Sequence, residues 1–320
     1  MSLVVFRLLL LQVKKLTLIN VPSSAGARRV GQDRAPDSFR EAGIIEHLRS
    51  GGFELTDVVD LEHIVFRADP DNSHQQNLSL VRDTCKKVAE KVSGAVKSRA
   101  KVIILGGDCT VTLGVLAGLV DYLPQLGLIY FDGDVDLNTP ETTTSGIFDG
   151  MVMSHIIGRG ADQLARIGSR YPLMDERNIV LFGYNSESGW IDPAELEQLR
   201  NSSMGRYSLT EVRGRVVEAA TVALCRLEAN GKLEAKVENI LVHFDVDVID
   251  SNDFPAADVL HEHGLSFDDA MAALSVFVGS PKFAGLVITE FNSDRDLDGS
   301  LARRLVKAIS EIMGRAQASW

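Results

Sequence analysis

The feature that most constrains this chain is a recurrence of short apolar runs, each four to six residues of mostly Val, Ile and Leu, separated by longer stretches with helical spacing. The runs are Leu16–Val21, Val102–Leu105, Leu126–Phe131, Ile179–Phe182, Ile240–Phe244 and Gly285–Thr289. Continuous rather than alternating apolarity marks strands buried on both faces, as in a parallel sheet covered by helices. Between them, Leu78–Ser98 and Leu301–Met313 place apolar residues three and four apart. The pattern predicts an α/β fold, a three-layer α/β/α sandwich around a mainly parallel sheet. No repeat, low-complexity tract or linker divides the chain, so one domain over 1–320 is expected, with 1–14 as a short N-terminal extension.

In open parallel sheets ligands sit beyond the carboxyl ends of the strands. The residues there are acidic. Leu126–Phe131 is followed by Asp132-Gly133-Asp134-Val135-Asp136-Leu137-Asn138, and Ile240–Phe244 by Asp245-Val246-Asp247-Val248-Ile249-Asp250. If the strands persist, alternation puts Asp132, Asp134 and Asp136 on one face, and Asp245 with Asp247 on another. Carboxylates so crowded repel one another unless a cation joins them, and oxygen donors suit Mn²⁺ or Mg²⁺. A single such cluster is more simply a set of helix-capping loop residues. Two clusters at strand ends favour the metal. Gly106-Gly107-Asp108-Cys109 and Glu290-Phe291-Asn292 follow two further strands.

Composition narrows the partners. A formal charge of −11 disfavours nucleic acid and anionic membrane, and fits a neutral or cationic small molecule. Cys85, Cys109 and Cys225 are odd in number and widely spaced, as in a reducing, cytoplasmic compartment. The apolar opening stretch carries Arg7 and Gln12 and has no small-residue cleavage pattern, which argues against secretion.

With these motifs in order, the chain resembles the ureohydrolase family of arginases and agmatinases, which hydrolyse guanidino groups at a two-manganese centre. Val30–Gly43 resembles the family's segment ending in Arg-x-Ala-Gly, and Gly106–Cys109 its Gly-Gly-Asp-His. Asp132–Asn138 with Thr142–Gly146 resembles its Asp-Ala-His-x-Asp and threonine-rich loop, Asp245–Asp250 its Asp-x-Asp-x-x-Asp, and Glu290–Asn292 its Glu-x-Asn. The resemblance implies that Asp132 and Asp245 bridge two Mn²⁺ ions, with Asp136 completing the first site and Asp247 the second. It implies that Glu290 holds the guanidinium, that Asn138 and Ser145 contact the far end of the substrate, and that the protein is a homotrimer or homohexamer.

Three departures stand out. Cys109 and Asp134 occupy positions where the family has metal-binding histidines, and Asp149 stands where it has an acid/base histidine. None of the seven histidines replaces them by motif. Cys109 and Asp134 are then expected as ligands, a thiolate tolerating Zn²⁺ or Fe²⁺ as well as Mn²⁺. Five Asp and a thiolate give −6 against +4 from two cations, so ligand pKa values should rise or a different metal be favoured. Asp149 is expected either as general acid or as a helix cap. His243 lies two residues before Asp245, yet a lone strand histidine is more often a packed core residue, and His261 and His263 fall in a loop.

Two functions follow. One is a metal-dependent amidinohydrolase in which a metal-bridging hydroxide attacks a guanidino carbon, Asp247 accepts a hydrogen bond from the nucleophile and Asp149 protonates the leaving amine. The other is a catalytically inactive relative serving as a binding or regulatory subunit.

Overall fold

The structure is a computed structural model that describes residues 14–123, 125–229 and 236–320. The extension expected at 1–14 lies outside these residues except for Lys14. That residue opens the first strand.

Eight strands form one parallel sheet: β1 (Lys14–Asn20), β2 (Phe53–Asp60), β3 (Lys101–Leu105), β4 (Leu126–Phe131), β5 (Ile179–Phe182), β6 (Gly205–Tyr207), β7 (Asn239–Asp245) and β8 (Phe283–Thr289). Their spatial order is β2-β1-β3-β8-β7-β4-β5-β6. Every residue of β4 and β5 is buried. Alternation sorts their side chains into two cores. Leu18, Ile103, Ile129 and Phe131 face one layer, with helices α3 (Val216–Ala229), α4 (Phe267–Val278) and α5 (Ser300–Ala316). Ile19, Ile104, Leu128 and Tyr130 face the other, with α1 (Leu78–Lys97) and α2 (Val111–Leu119). This is the three-layer sandwich the apolar runs predicted.

The four strands that carry the acidic motifs, β3, β8, β7 and β4, are neighbours in the middle of the sheet. Their carboxyl ends therefore converge on one spot. Register sharpens this: Tyr130 stands beside His243, and Asp245 beside Thr289. On the second face of β7, Leu241, His243 and Asp245 follow one another toward the strand's end.

Candidate metal centre

Cys109 is fixed by a turn that tolerates no side chain. A Cβ on Gly107 would lie 1.6 Å from the Ser23 carbonyl oxygen, so only glycine lets the turn pack there. Asp108 then accepts from the Gly26 and Thr110 amides at 3.0 and 3.1 Å, tying the turn to the N-terminal segment. The Cys109 thiol donates to Asp245 Oδ2 at 2.8 Å, and its amide lies 2.9 Å from Asp149 Oδ1 and 3.0 Å from Glu290 Oε1.

The strands do not persist through the acidic motifs, so alternation does not align their carboxylates. β4 stops at Phe131, and Asp132–Asp136 form a loop in which Asp134 N donates to Asp132 Oδ1 at 2.6 Å. Asp136 adopts a left-handed conformation, φ 52°, and accepts from the Tyr130 hydroxyl rather than lying in line with Asp132. β7 ends at Asp245, whose side chain accepts from Asp247 N at 2.8 Å and turns the chain into a single 3₁₀ turn. The carboxylates converge through these turns instead of through β alternation. Asp149 opens a 3₁₀ turn, but it accepts from Cys109 N rather than capping its own helix, and its carboxylate lies within 4.8 Å of a Glu290 oxygen.

Two histidines complete the cluster, and these the motif reading left aside. His243 Nε2 lies 3.4 Å from Asp132 Oδ2 and 3.6 Å from Cys109 Sγ, while Nδ1 is 2.8 Å from Thr112 Oγ1 on α2. Its ring stacks on Tyr130, centroids 4.1 Å apart and planes at 4°. His261 Nε2 lies 3.4 Å from Asp134 Oδ2 and 3.8 Å from Asp247 Oδ2, without hydrogen-bond geometry to either, and its Nδ1 has no partner among the described residues. The i, i+2 spacing before Asp245 was the signal for His243. Nothing local marked His261.

Potential donors thus fall into sets whose atoms lie within 4.8 Å of one another: Cys109, Asp132, His243 and Asp245; Cys109, Asp149 and Glu290; Asp134, Asp247 and His261. Asp132 Oδ2, Asp134 Oδ1 and both His261 nitrogens are buried without a hydrogen-bond partner, a costly state that a cation would relieve. Burial, then the neighbouring carboxylates, hold Asp132 well above the usual carboxylate range, and burial with Asp247 does the same to Asp245. Burial and then Asp245 push the Cys109 thiol up, so without a cation it stays protonated. His243 is lowered to about 3 by burial and is neutral, as a ligand must be. For His261 burial lowers the pKa, but Asp134 and Asp247 outweigh it and raise it to about 9. The residues fit a bound divalent metal pair.

Above the cluster opens a cavity of ≈ 120 Å³. Asn138 and Ser145 line it, and Asn138 Oδ1 accepts from Thr142 Oγ1 at 3.0 Å. At the same cavity Arg28 lies over the Trp190 ring, 5.5 Å from its centroid. Glu290, in a left-handed conformation at φ 63°, points its carboxylate between Cys109 N and Gln32 Nε2.

A family model described as "Arginase family" matches residues 14–314. The chain belongs to the arginase family. It is 26% identical to the arginase of Brevibacillus brevis over 94% of this chain and 98% of that one, and 27% identical to the arginase of Bacillus caldovelox over 94% and 99%. The crystal structure of the Bacillus subtilis arginase superposes with a TM-score of 0.83 at 25% identity, covering 94% of this chain and 98% of that one. No helix among the described residues is long and apolar enough to cross a membrane. Cys85, Cys109 and Cys225 are all free thiols.

Proposed function

We propose that the chain is a metal-dependent hydrolase of a guanidino-type C–N bond. The observation that carries this reading is the convergence of carboxylates from three adjacent strand ends, joined by the Cys109 thiol from a fourth, beneath one small cavity, with oxygens of Asp132 and Asp134 that have no hydrogen-bond partner among the described residues. Asp132 and Asp245 would hold both ions of a divalent pair, manganese by the resemblance. Cys109 and Asp136 would serve the first ion, Asp134 and Asp247 the second. When bound, such a pair supplies Lewis-acid charge stabilisation and an activated water.

The rest is done by the chain. Glu290, held above the usual carboxylate range by burial and then by Asp149, is drawn to its ionised form by the positive charge of the planar guanidinium and pairs with it. Asp247 accepts a hydrogen bond from the attacking water and so orients it. Asp149 is held protonated by burial and by Asp108, and from its place beside Glu290 it delivers that proton to the departing amine. Asn138 and Ser145 bind the remote end of the substrate, and Arg28 adds a cation at the same cavity that favours a carboxylate-bearing one. Assembly as a homotrimer or homohexamer in the cytoplasm belongs to the same reading; light scattering at the mass of one 34.9 kDa chain rejects that assembly.

A second reading has an observation of its own. The Cys109 thiol bonded to Asp245, and His261 charged between Asp134 and Asp247, would let the cluster hold itself together without metal, as an inactive binding subunit needs. The deciding experiment assays a panel of guanidino compounds for urea and amine release by protein purified without chelator and supplied with Mn²⁺ or Zn²⁺. Turnover of any member supports the hydrolase. Absence of turnover, with less than about a tenth of an equivalent of metal retained, assigns the inactive role.

A further inference from the structure

The imidazoles missing at positions 109 and 134 have counterparts elsewhere in the same cluster. Cys109, which stands at a family histidine position, lies 3.6 Å from His243; Asp134, which stands at the other, lies 3.4 Å from His261. Each lost imidazole is thus matched by a buried one reaching the same place from a different part of the chain. We infer that His243 and His261 are metal ligands, and that the Cys109–His243 pair makes the first position a site for a borderline ion such as Zn²⁺, Co²⁺ or Fe²⁺ in preference to Mn²⁺. The inference rests on the metal-dependent reading above and specifies its ligands.

Four observations carry it. First, the donor spacing fits. Ligands about 2.0–2.3 Å from a tetrahedral ion stand roughly 3.3–3.7 Å from each other. Cys109 Sγ to His243 Nε2 is 3.6 Å and His243 Nε2 to Asp132 Oδ2 is 3.4 Å, while Cys109 Sγ to Asp245 Oδ2, now a 2.8 Å hydrogen bond, must widen when the thiol proton leaves. Second, both imidazoles present a nitrogen to the carboxylates. His243 is anchored through Nδ1 on Thr112 and stacked on Tyr130, which leaves Nε2 facing Cys109 and Asp132, with Thr289 Oγ1 at 3.5 Å, the orientation that outer partners impose on a ligating histidine. His261 is 1% exposed, its Nε2 faces Asp134 and Asp247 at 3.4 and 3.8 Å, and neither nitrogen has a hydrogen-bond partner among the described residues. Third, His155 shows what a core histidine looks like in this protein. Its Nδ1 lies 2.7 Å from the Met151 carbonyl and its Nε2 accepts from Ala161 N at 3.0 Å, so both nitrogens are used by the backbone.

The fourth observation is Gly133. The family segment has alanine there by resemblance, and a Cβ built on Gly133 would lie 2.7 Å from His261 Cδ2 and 2.9 Å from its Nε2. The missing methyl makes room for that ring. Sulfur and nitrogen beside two carboxylates form a softer donor set than carboxylates alone, which favours ions later than manganese in the affinity order.

The test uses the full chain purified without chelator. Metal content is measured for the wild type, His243→Ala, His261→Ala and Gly133→Ala, and absorption is recorded after Co²⁺ loading. The wild type should hold close to two ions and show a thiolate-to-Co²⁺ band in the near ultraviolet, and it should retain Zn²⁺ over Mn²⁺ in equimolar competition. Each histidine variant should lose about one ion, with affinity there down by roughly tenfold or more. His243→Ala should also alter the Co²⁺ band. Gly133→Ala should reproduce His261→Ala. Because His243→Ala leaves a buried gap, Cys109→His with His243→Ser, which returns the imidazole to position 109, is the rescue: it should restore the ion and remove the sulfur band. Histidine variants with full metal content and an unchanged Co²⁺ spectrum overturn the ligand assignment and leave the hydrolase reading standing. Preference for Mn²⁺ over Zn²⁺ overturns the metal class. A wild type that takes up no ion overturns both readings together.

Discussion

The two ends of the central sheet are built on opposite terms. At the amino ends of the strands, charged groups are satisfied by backbone: Lys14 reaches the main-chain oxygen of Trp320, Lys101 that of Phe283, and Lys282 that of Val237 at 2.6 Å. Trp320 closes this end, stacked on Phe283 at 4.8 Å and bonded through its indole nitrogen to Val278 O at 2.9 Å. At the carboxyl ends, Asp132, Asp134 and His261 keep buried atoms with no hydrogen-bond partner among the described residues. One end is satisfied within the chain, and the other keeps buried polar atoms of the kind a bound cation would satisfy. Stability should therefore reside at the first, and chemistry at the second.

Substitutions can break this contrast from either side. The largest effect should come from Asp132→Ala or Asp245→Ala: metal uptake and the accompanying rise in melting temperature disappear, and turnover falls by roughly a thousandfold or more. A variant that still takes up metal and turns over would show the carboxyl end to be less dependent on these residues than its geometry implies. Next comes Asp149→Asn. Loss of the proton donor should lower kcat by about 10²–10⁴ with little change in KM, and an unchanged kcat removes Asp149 from the reaction.

At the other end, Trp320→Ala should cost roughly 2–3 kcal/mol, less than the ~3–5 of a fully buried ring, because this indole is only half-buried. Denaturant unfolding gives the value. Activity per folded molecule should not change; if it does, the two ends are coupled. The smallest effect concerns Lys101, lowered to about 8 by burial and by Lys14. Between pH 8 and its ordinary 10.5 the unfolded chain binds a proton at this lysine that the folded chain does not, so this residue's contribution to stability rises with pH across that window. Lys101→Met should flatten the difference in melting temperature between pH 7.5 and 10 relative to wild type. A parallel response in both proteins would show that Lys101 titrates normally.

The same contrast governs what could be read without coordinates. β1, β3, β4, β5, β7 and β8 announce themselves because burial on both faces demands unbroken apolar runs. The edge strands do not: β2, Phe-Glu-Leu-Thr-Asp-Val-Val-Asp, is largely accessible, and β6 is three residues long. The acidic motifs were legible because they directly follow central strands. Their geometry was not, since Asp136 and Asp247 reach the cluster through a left-handed residue and a 3₁₀ turn that alternation cannot anticipate. His243 could be placed from its spacing to Asp245. His261 could not, because its nearness to Gly133 and Asp134 spans more than a hundred residues and exists only in the folded chain.

Gly133 also fixes an order of events. A chain with alanine at that position has no space for an imidazole from 261, so a histidine arriving there first would find its place taken. If His261 is the ligand inferred above, a glycine at 133 has to be in place before that ring can take over from an imidazole at 134. The route is equally hard to retrace. With His261 in place, a methyl at 133 would stand 2.7 Å from its ring and 2.9 Å from Asp247 Oδ1, so the hydrogen that takes the methyl's place at this Cα is the latch that keeps the ring where it is.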